Sequence, residues 1–408
     1  PAVAEACLAC ADRLWAQDKQ QEATALIDGL RHAAVPQRFR VAATHRAILA
    51  PGPLALPLLV EQLKSADDAL FAAAVSASRR LPGGEVTQAL VAELDRSPPA
   101  RQILLVAALG DRREPAVVRA LEKVAAAGAM EVRLTAIRVL GQLGETSAAR
   151  KAAGASNSEL REAAIRTLGH IAGPDDLPLL WNRLQTANSA RETDIAKEAL
   201  SAACLRISDR DASVARLADY IEHAPASAQC FLLELIGRMG GPRALAVVVA
   251  GAHKSGEVQA TALQALGAWM SPDAAPPLLE LAKTLPDDRL QTRALRGYLR
   301  IARQMDLTPD ARLAMCQEAL RAARRDDERK LALQALVRTA SANSLTVAVE
   351  HLAQPGLREE AALAAVAIAE KIAPREPQAV AAAMRQVLRS GVSGQPAVRA
   401  RQLLEKRN

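Results

Sequence analysis

RLTAIRVLGQLG (Arg133–Gly144) and REAAIRTLGHIAG (Arg161–Gly173) are near copies, with Arg133 and Arg161 in step 28 residues apart. Around the first copy Val132, Ala136, Val139, Leu140 and Leu143 recur at spacings that place them on one face of a helix. Gly144 supplies the residue type that adopts the left-handed conformation ending a helix. The phrase returns along the chain with a small residue, or its substitute, at one phase: Ala47, Ala77, Gly110, Gly141, Gly169, Ala203, Gly237, Gly267, Tyr298, Val337 and Ala367. The steps run from 28 residues (Gly141 to Gly169) to 39 (Tyr298 to Val337), the length of one helical hairpin per repeat. A hairpin that short cannot bury its own apolar face, so neighbours must stack.

Composition agrees with helices. Half of the 408 residues are apolar, but only 2% are aromatic, and Ala and Leu dominate. Those are the strongest helix formers, and the β-branched residues are too sparse for a large sheet. The longest apolar runs, Ala244–Ala252 and Ala361–Ala369, have nine residues each. A spanning helix needs about 20, so no membrane insertion is expected. The five cysteines (Cys7, Cys10, Cys204, Cys230, Cys316) are odd in number and scattered. They read as buried, reduced thiols rather than a disulfide framework, which favours a cytoplasmic setting. The chain opens at Pro1 with neither Met nor an export signal, as a processed chain or fragment would, so a removed signal stays open.

Punctuation marks the helix starts. Pro opens GPDDLPLLWNRL (Gly173–Leu184), GPRALAVVV (Gly241–Val249) and SPDAAPPLLELA (Ser271–Ala282), where its missing N–H is no loss. Asp or Ser precedes the second helix of a pair in SADDALFAAAV (from Ser65), SNSELREAAI (from Ser156), LPDDRLQTRAL (from Leu285) and RRDDERKLAL (from Arg324). With its early Pro, its acidic turn and its VR..A...LG or LR.AA...LG second helix, the sequence resembles the HEAT-repeat family, including the shorter lyase-type HEAT-like repeats. The resemblance covers residues 36–390. It implies an all-α fold: an armadillo-like α-solenoid, a right-handed α-α superhelix of about 10–11 helical hairpins whose second helices line a concave side. Residues 1–35 resemble a tetratricopeptide-type hairpin, with Trp15 and Ala23 at its packing positions, and are expected as an N-terminal cap. Residues 391–408 are expected as a C-terminal capping helix or a linker.

No catalytic motif stands out. The six histidines form no HExxH or Cys/His metal pattern, and there is no Walker loop, dinucleotide fingerprint or Gly-x-Ser-x-Gly elbow. Cys7 and Cys10 make one CxxC on one helix face, but zinc needs two further ligands and no second pair follows. No metal or other cofactor is expected. Trp15, Trp181 and Trp269 read as core wedges, too few for a base-stacking platform.

The charge pattern says more. Twelve basic residues lie between Arg289 and Arg338 against six acidic ones, an excess of +6 in a chain whose net charge is +7. Arg289, Arg293, Arg296, Arg300 and Arg303 are spaced 4, 3, 4 and 3, within an arc of roughly 80° on one helix. Arg suits forked contacts with carboxylate or phosphate. The bland alternative is a repeat ladder in which Arg133, Arg161, Arg293 and Arg329 tie to acids of a neighbouring turn. Arg138 and Arg166 share a phase three residues before their Gly and extend the candidate surface. The resemblance implies a non-enzymatic scaffold binding a protein or peptide partner, an acidic one if the stripe is its anchor. Two other readings are nucleic-acid backbone binding through residues 289–338 and a HEAT-like lyase acting on a tetrapyrrole, or a subunit of a larger enzyme. The scarcity of aromatics argues against a flipped-base pocket, and no polar triad suggests a lyase site.

Overall fold

The computed structural model describes residues 1–405; within them the chain is helical throughout and has no strand. It divides into two compact units, Pro1–Ile207 and Ser208–Asn408. The N-terminal unit holds α1 (Ala2–Ala16), α2 (Gln20–His32), α3 (Gln37–Leu49), α4 (Ala55–Leu63), α5 (Asp68–Ser78), α6 (Gly84–Leu94), α7 (Pro99–Leu109), α8 (Pro115–Ala127), α9 (Met130–Gln142), α10 (Ser147–Ala152), α11 (Ser158–Ile171), α12 (Leu177–Gln185) and α13 (Ala190–Arg206). The C-terminal unit holds α14 (Arg210–His223), α15 (Ala226–Met239), α16 (Pro242–Ala252), α17 (Gly256–Gly267), α18 (Ala275–Thr284), α19 (Asp288–Gln304), α20 (Pro309–Ala322), α21 (Asp326–Leu336), α22 (Ala342–Glu350), α23 (Arg358–Ile372), α24 (Pro377–Arg389) and α25 (Gln395–Glu405).

Each unit is a two-layer stack. In the N-terminal unit α1 packs on α2 and α2 on α3; the helices then pair as α4/α5 through α12/α13. The second helices α3, α5, α7, α9, α11 and α13 form one continuous layer, each packed on the next. In the C-terminal unit the pairs run α14/α15 through α24/α25, and α15, α17, α19, α21, α23 and α25 make the corresponding layer. The core runs the length of each stack, built of Leu, Ala, Val and Ile, with Phe71 wholly buried between them.

The local signals act mostly as their chemistry requires. Asp67 and Asp287 accept from backbone N–H groups at the starts of α5 and α19, and Asn157 does so for α11. At α21 the capping position falls one residue ahead of the acidic run: Arg325 is the N-cap, and Asp326 and Asp327 lie within the first turn, where they favour the positive helix end. Pro242 opens α16, whereas Pro174 and Pro272 each open a 3-10 turn ahead of α12 and α18. Gly240 and Gly241 both take positive φ, 70° and 95°, which turns the chain from α15 into α16.

The small-residue phase marks where second helices meet. A Cβ on Gly169 would stand 2.7 Å from Ala199 Cα, and one on Gly141 would run into Thr167. In α19 the position that makes this approach is Gly297, not its neighbour Tyr298: a Cβ there would lie 3.0 Å from Gly267 Cα. Tyr298 is buried beside it. Cys204 and Cys316 are buried, and burial pushes both thiols up to about 12. Contrary to expectation Cys10 is exposed, and Cys7 and Cys230 are half-buried. Trp181 and Trp269 are core residues, but Trp15 is only half-buried.

Candidate functional site

The stripe on α19 is a real row, and its members do different work. Asp287 caps the helix by accepting from the N–H groups of Arg289 and Leu290 at 2.7 and 3.1 Å. Behind the stripe, Ala294, Leu295, Tyr298, Leu299 and Ala302 bury the opposite face. That leaves Arg289, Arg293, Arg296 and Arg303 exposed and Arg300 half-buried.

Arg300 is part of the frame. Its Nε donates to Gly267 O at 2.5 Å and its Nη2 to Trp269 O, at the C-terminal end of α17. Burial holds its pKa below the ordinary guanidinium value, yet the group stays charged at any relevant pH. The same contact recurs along the second-helix layers. Arg206 reaches Ala172 O, Arg338 reaches Arg303 O, and Lys371 reaches Val337 O at 2.7 Å. A cation on these last carbonyls fills acceptors left open by helix geometry and opposes the negative helix end.

Arg296 belongs to a second series. Its guanidinium pairs with Glu328 of α21 at 2.8 Å; the Arg side chain is 55% exposed and the Glu side chain 2%. Arg161 pairs likewise with Glu192 of the next second helix, and Arg101 with Asp68 of the preceding one. Of the other Arg residues expected to tie to neighbouring acids, Arg329 meets Asp326 within its own helix. Arg133 turns to Ala125 O, and Arg293 donates to Ala260 O at a long 3.3 Å.

Arg289 and Arg303, at the two ends of the stripe, have no hydrogen-bond or ion-pair partner for their side chains among the described residues. In the N-terminal unit Arg138 of α9 is exposed and likewise has no partner among them, while exposed Arg166 of α11 lies 3.7 Å from Glu162. Among the described residues no group of three or more His, Cys, Asp or Glu is placed to hold a metal ion. No helix among them is long and apolar enough to cross a membrane.

One structural residue escaped the sequence entirely. Arg112, after α7, is buried and has no acidic partner among the described residues. It donates to Ser78 O and Leu81 O at 2.6 Å, to Thr87 Oγ1 at 3.0 Å and to Gly83 O at 3.3 Å, joining α5, α6 and α7. Its only signal was an Arg 31 to 34 residues beyond a helix end, the same interval that separates Arg300 from Trp269 and Gly267.

Residues 214–298 match a family model described as HEAT repeats. No curated protein matches the sequence. Among solved structures the chain is similar to the karyopherin Kap121p bound to the extreme C-terminus of the protein phosphatase Cdc14p: 12% identity, 99% of this chain and 51% of that one, TM-score 0.53. It is similar also to Kap121p bound to Nup53p: 12% identity, 95% of this chain and 51% of that one, TM-score 0.52. The chain thus spans about half the length of these structures, and at such identity the likeness is one of fold. With its hairpins stacked through small-residue contacts and Arg ties, the chain has an α-solenoid fold, and its residues 214–298 match HEAT repeats.

Proposed function

We propose that the protein is a non-enzymatic interaction scaffold that binds an acidic protein segment across α19. The observation that carries this is the pair of unpartnered guanidiniums, Arg289 and Arg303, at the ends of one row. They are fourteen residues apart, about 21 Å along the helix axis, a span that six or seven extended residues cover. Arg293 lies between them and spends only one long hydrogen bond on the protein. Arg296 and Arg300 keep the row positive while serving the frame. Arg138 is a separate candidate contact on the N-terminal unit.

The test uses a fluorescein-labelled octaglutamate peptide and a labelled 20-base-pair DNA duplex, each titrated with the full chain. Wild type is compared with Arg289→Glu/Arg303→Glu, which removes no tie that the fold uses. Two exposed pairs at about 0.7 kcal/mol each make the expected loss of peptide affinity about tenfold. Unchanged peptide affinity in the variant overturns the anchor. Duplex binding tighter than peptide binding, falling steeply with salt, replaces the reading with nucleic-acid backbone binding.

A further inference from the structure

A cavity of about 450 Å³ opens in the N-terminal unit against α2, the end of α3 and the start of α4. That volume lies within the ordinary range of ligand sites. Buried Ile27 and Leu58 and half-buried Trp15 give it an apolar floor. The Ala50–Leu54 connection forms one rim, stiffened by two prolines, and leaves Leu54 66% exposed.

The polar side of the cavity is unbalanced. Arg31 Nη1 answers Asp28 at 2.8 Å. Glu61 meets only the neutral amide of Gln62, at 2.9 Å, and no cation among the described residues. Two N–H donors in the walls, Trp15 Nε1 and Arg31 Nε, are buried without a hydrogen-bond partner among the described residues. A buried donor left unmatched costs on the order of 1–3 kcal/mol.

We propose that this cavity binds a short extended segment of a partner polypeptide in which an apolar residue follows a Lys or Arg. The apolar side chain fills the floor against Trp15, Ile27 and Leu58 and covers Leu54. The basic head answers Glu61. A main-chain carbonyl of the segment accepts from Trp15 or Arg31 after a small rotation of that side chain, which relieves a donor otherwise unpaired. An acidic segment fits badly, because the Arg31 cation in the lining is already met by Asp28 and Glu61 is left without a cation among the described residues.

The probe is a blocked lysyl-leucyl dipeptide amide, with glutamyl-leucyl and lysyl-seryl counterparts. The readout is the indole N–H resonance of Trp15 in the full chain, labelled with ¹⁵N-tryptophan. The lysyl-leucyl probe is expected to move the Trp15 resonance and leave those of Trp181 and Trp269 in place. Each counterpart is expected to bind at least about threefold more weakly, as is the first probe to Glu61→Lys, a change at an exposed position. An unmoved Trp15 resonance overturns the site. Equal response to the seryl probe overturns the apolar floor as its determinant. Equal response to the glutamyl probe, or an unaltered affinity in Glu61→Lys, overturns the basic specificity.

Discussion

Arg112 shows how much one side chain can carry in an Ala-rich stack. Its guanidinium donates to three carbonyls and a hydroxyl, and it fastens three helices at once. Arg112→Leu keeps the bulk but strands the carbonyls of Ser78 and Leu81, so a loss of about 3 kcal/mol is expected in urea denaturation. Arg112→Lys should recover little of it, because a point ammonium cannot reproduce a fork. Glu192 is a second such residue. A hydrogen bond from Asn188 N–H, then the Arg161 pair, hold its carboxyl below the usual range. A depressed folded pKa adds stability that is present above the unfolded pKa, about 4.3, and is lost as pH falls through the folded value. Asp67 and Glu318 shift in the same direction, held down chiefly by Gln37 and Lys283 respectively. The urea midpoint should therefore fall as pH drops from 5 to 3, and fall less steeply in Glu192→Gln.

At the scale of the element, α19 divides a uniform-looking stripe into frame and surface. Arg296→Ala leaves Glu328 buried without its cation and should cost about 1–2 kcal/mol. That is below the cost for wholly buried pairs, because the Arg half of this pair is wet. Arg289→Ala should stay within about 0.5 kcal/mol, since it removes no contact. Equal costs for the two, by urea denaturation of each variant, would mean that the Glu328 pair does not form. The helices were legible because apolar period, Pro and Gly all act within one turn. The Asp287 and Asp67 caps were legible for the same reason. The partners of the Arg residues were not. For Arg112, Arg206, Arg300 and Arg338 the acceptors include backbone carbonyls 31 to 35 residues away, and a carbonyl has no letter of its own. The choice of Gly297 over Tyr298 was hidden similarly, since a one-residue phase decides which neighbour touches and both residues suit a helix. The α19 row itself was visible, but its division into working and free guanidiniums needed the second layer in place.

For the whole molecule, stacking makes stability a sum of nearest-neighbour terms rather than a property of one core. Within each unit the second helices touch their neighbours in the layer, so a fault should spread by steps and fade. Gly169 of α11 is the sharpest place to introduce one. Its Cβ would meet Ala199 at the backbone of α13, where no side chain can swing away. Gly169→Ala should thus cost about 1–3 kcal/mol, although Ala outranks Gly as a helix former by up to about 1 kcal/mol. Gly29→Ala is the control: no atom lies within 4 Å of its Cβ, so the helix preference acts alone and stability should rise by about 0.5–1 kcal/mol. Hydrogen exchange resolves the spread of the fault. In Gly169→Ala, amide protection should fall most in α11 and α13, less in α9, and least in α3, at the far end of the same layer. A uniform loss across α3 to α13 would instead mean that the N-terminal unit opens as one cooperative body, with the repeat serving geometry alone.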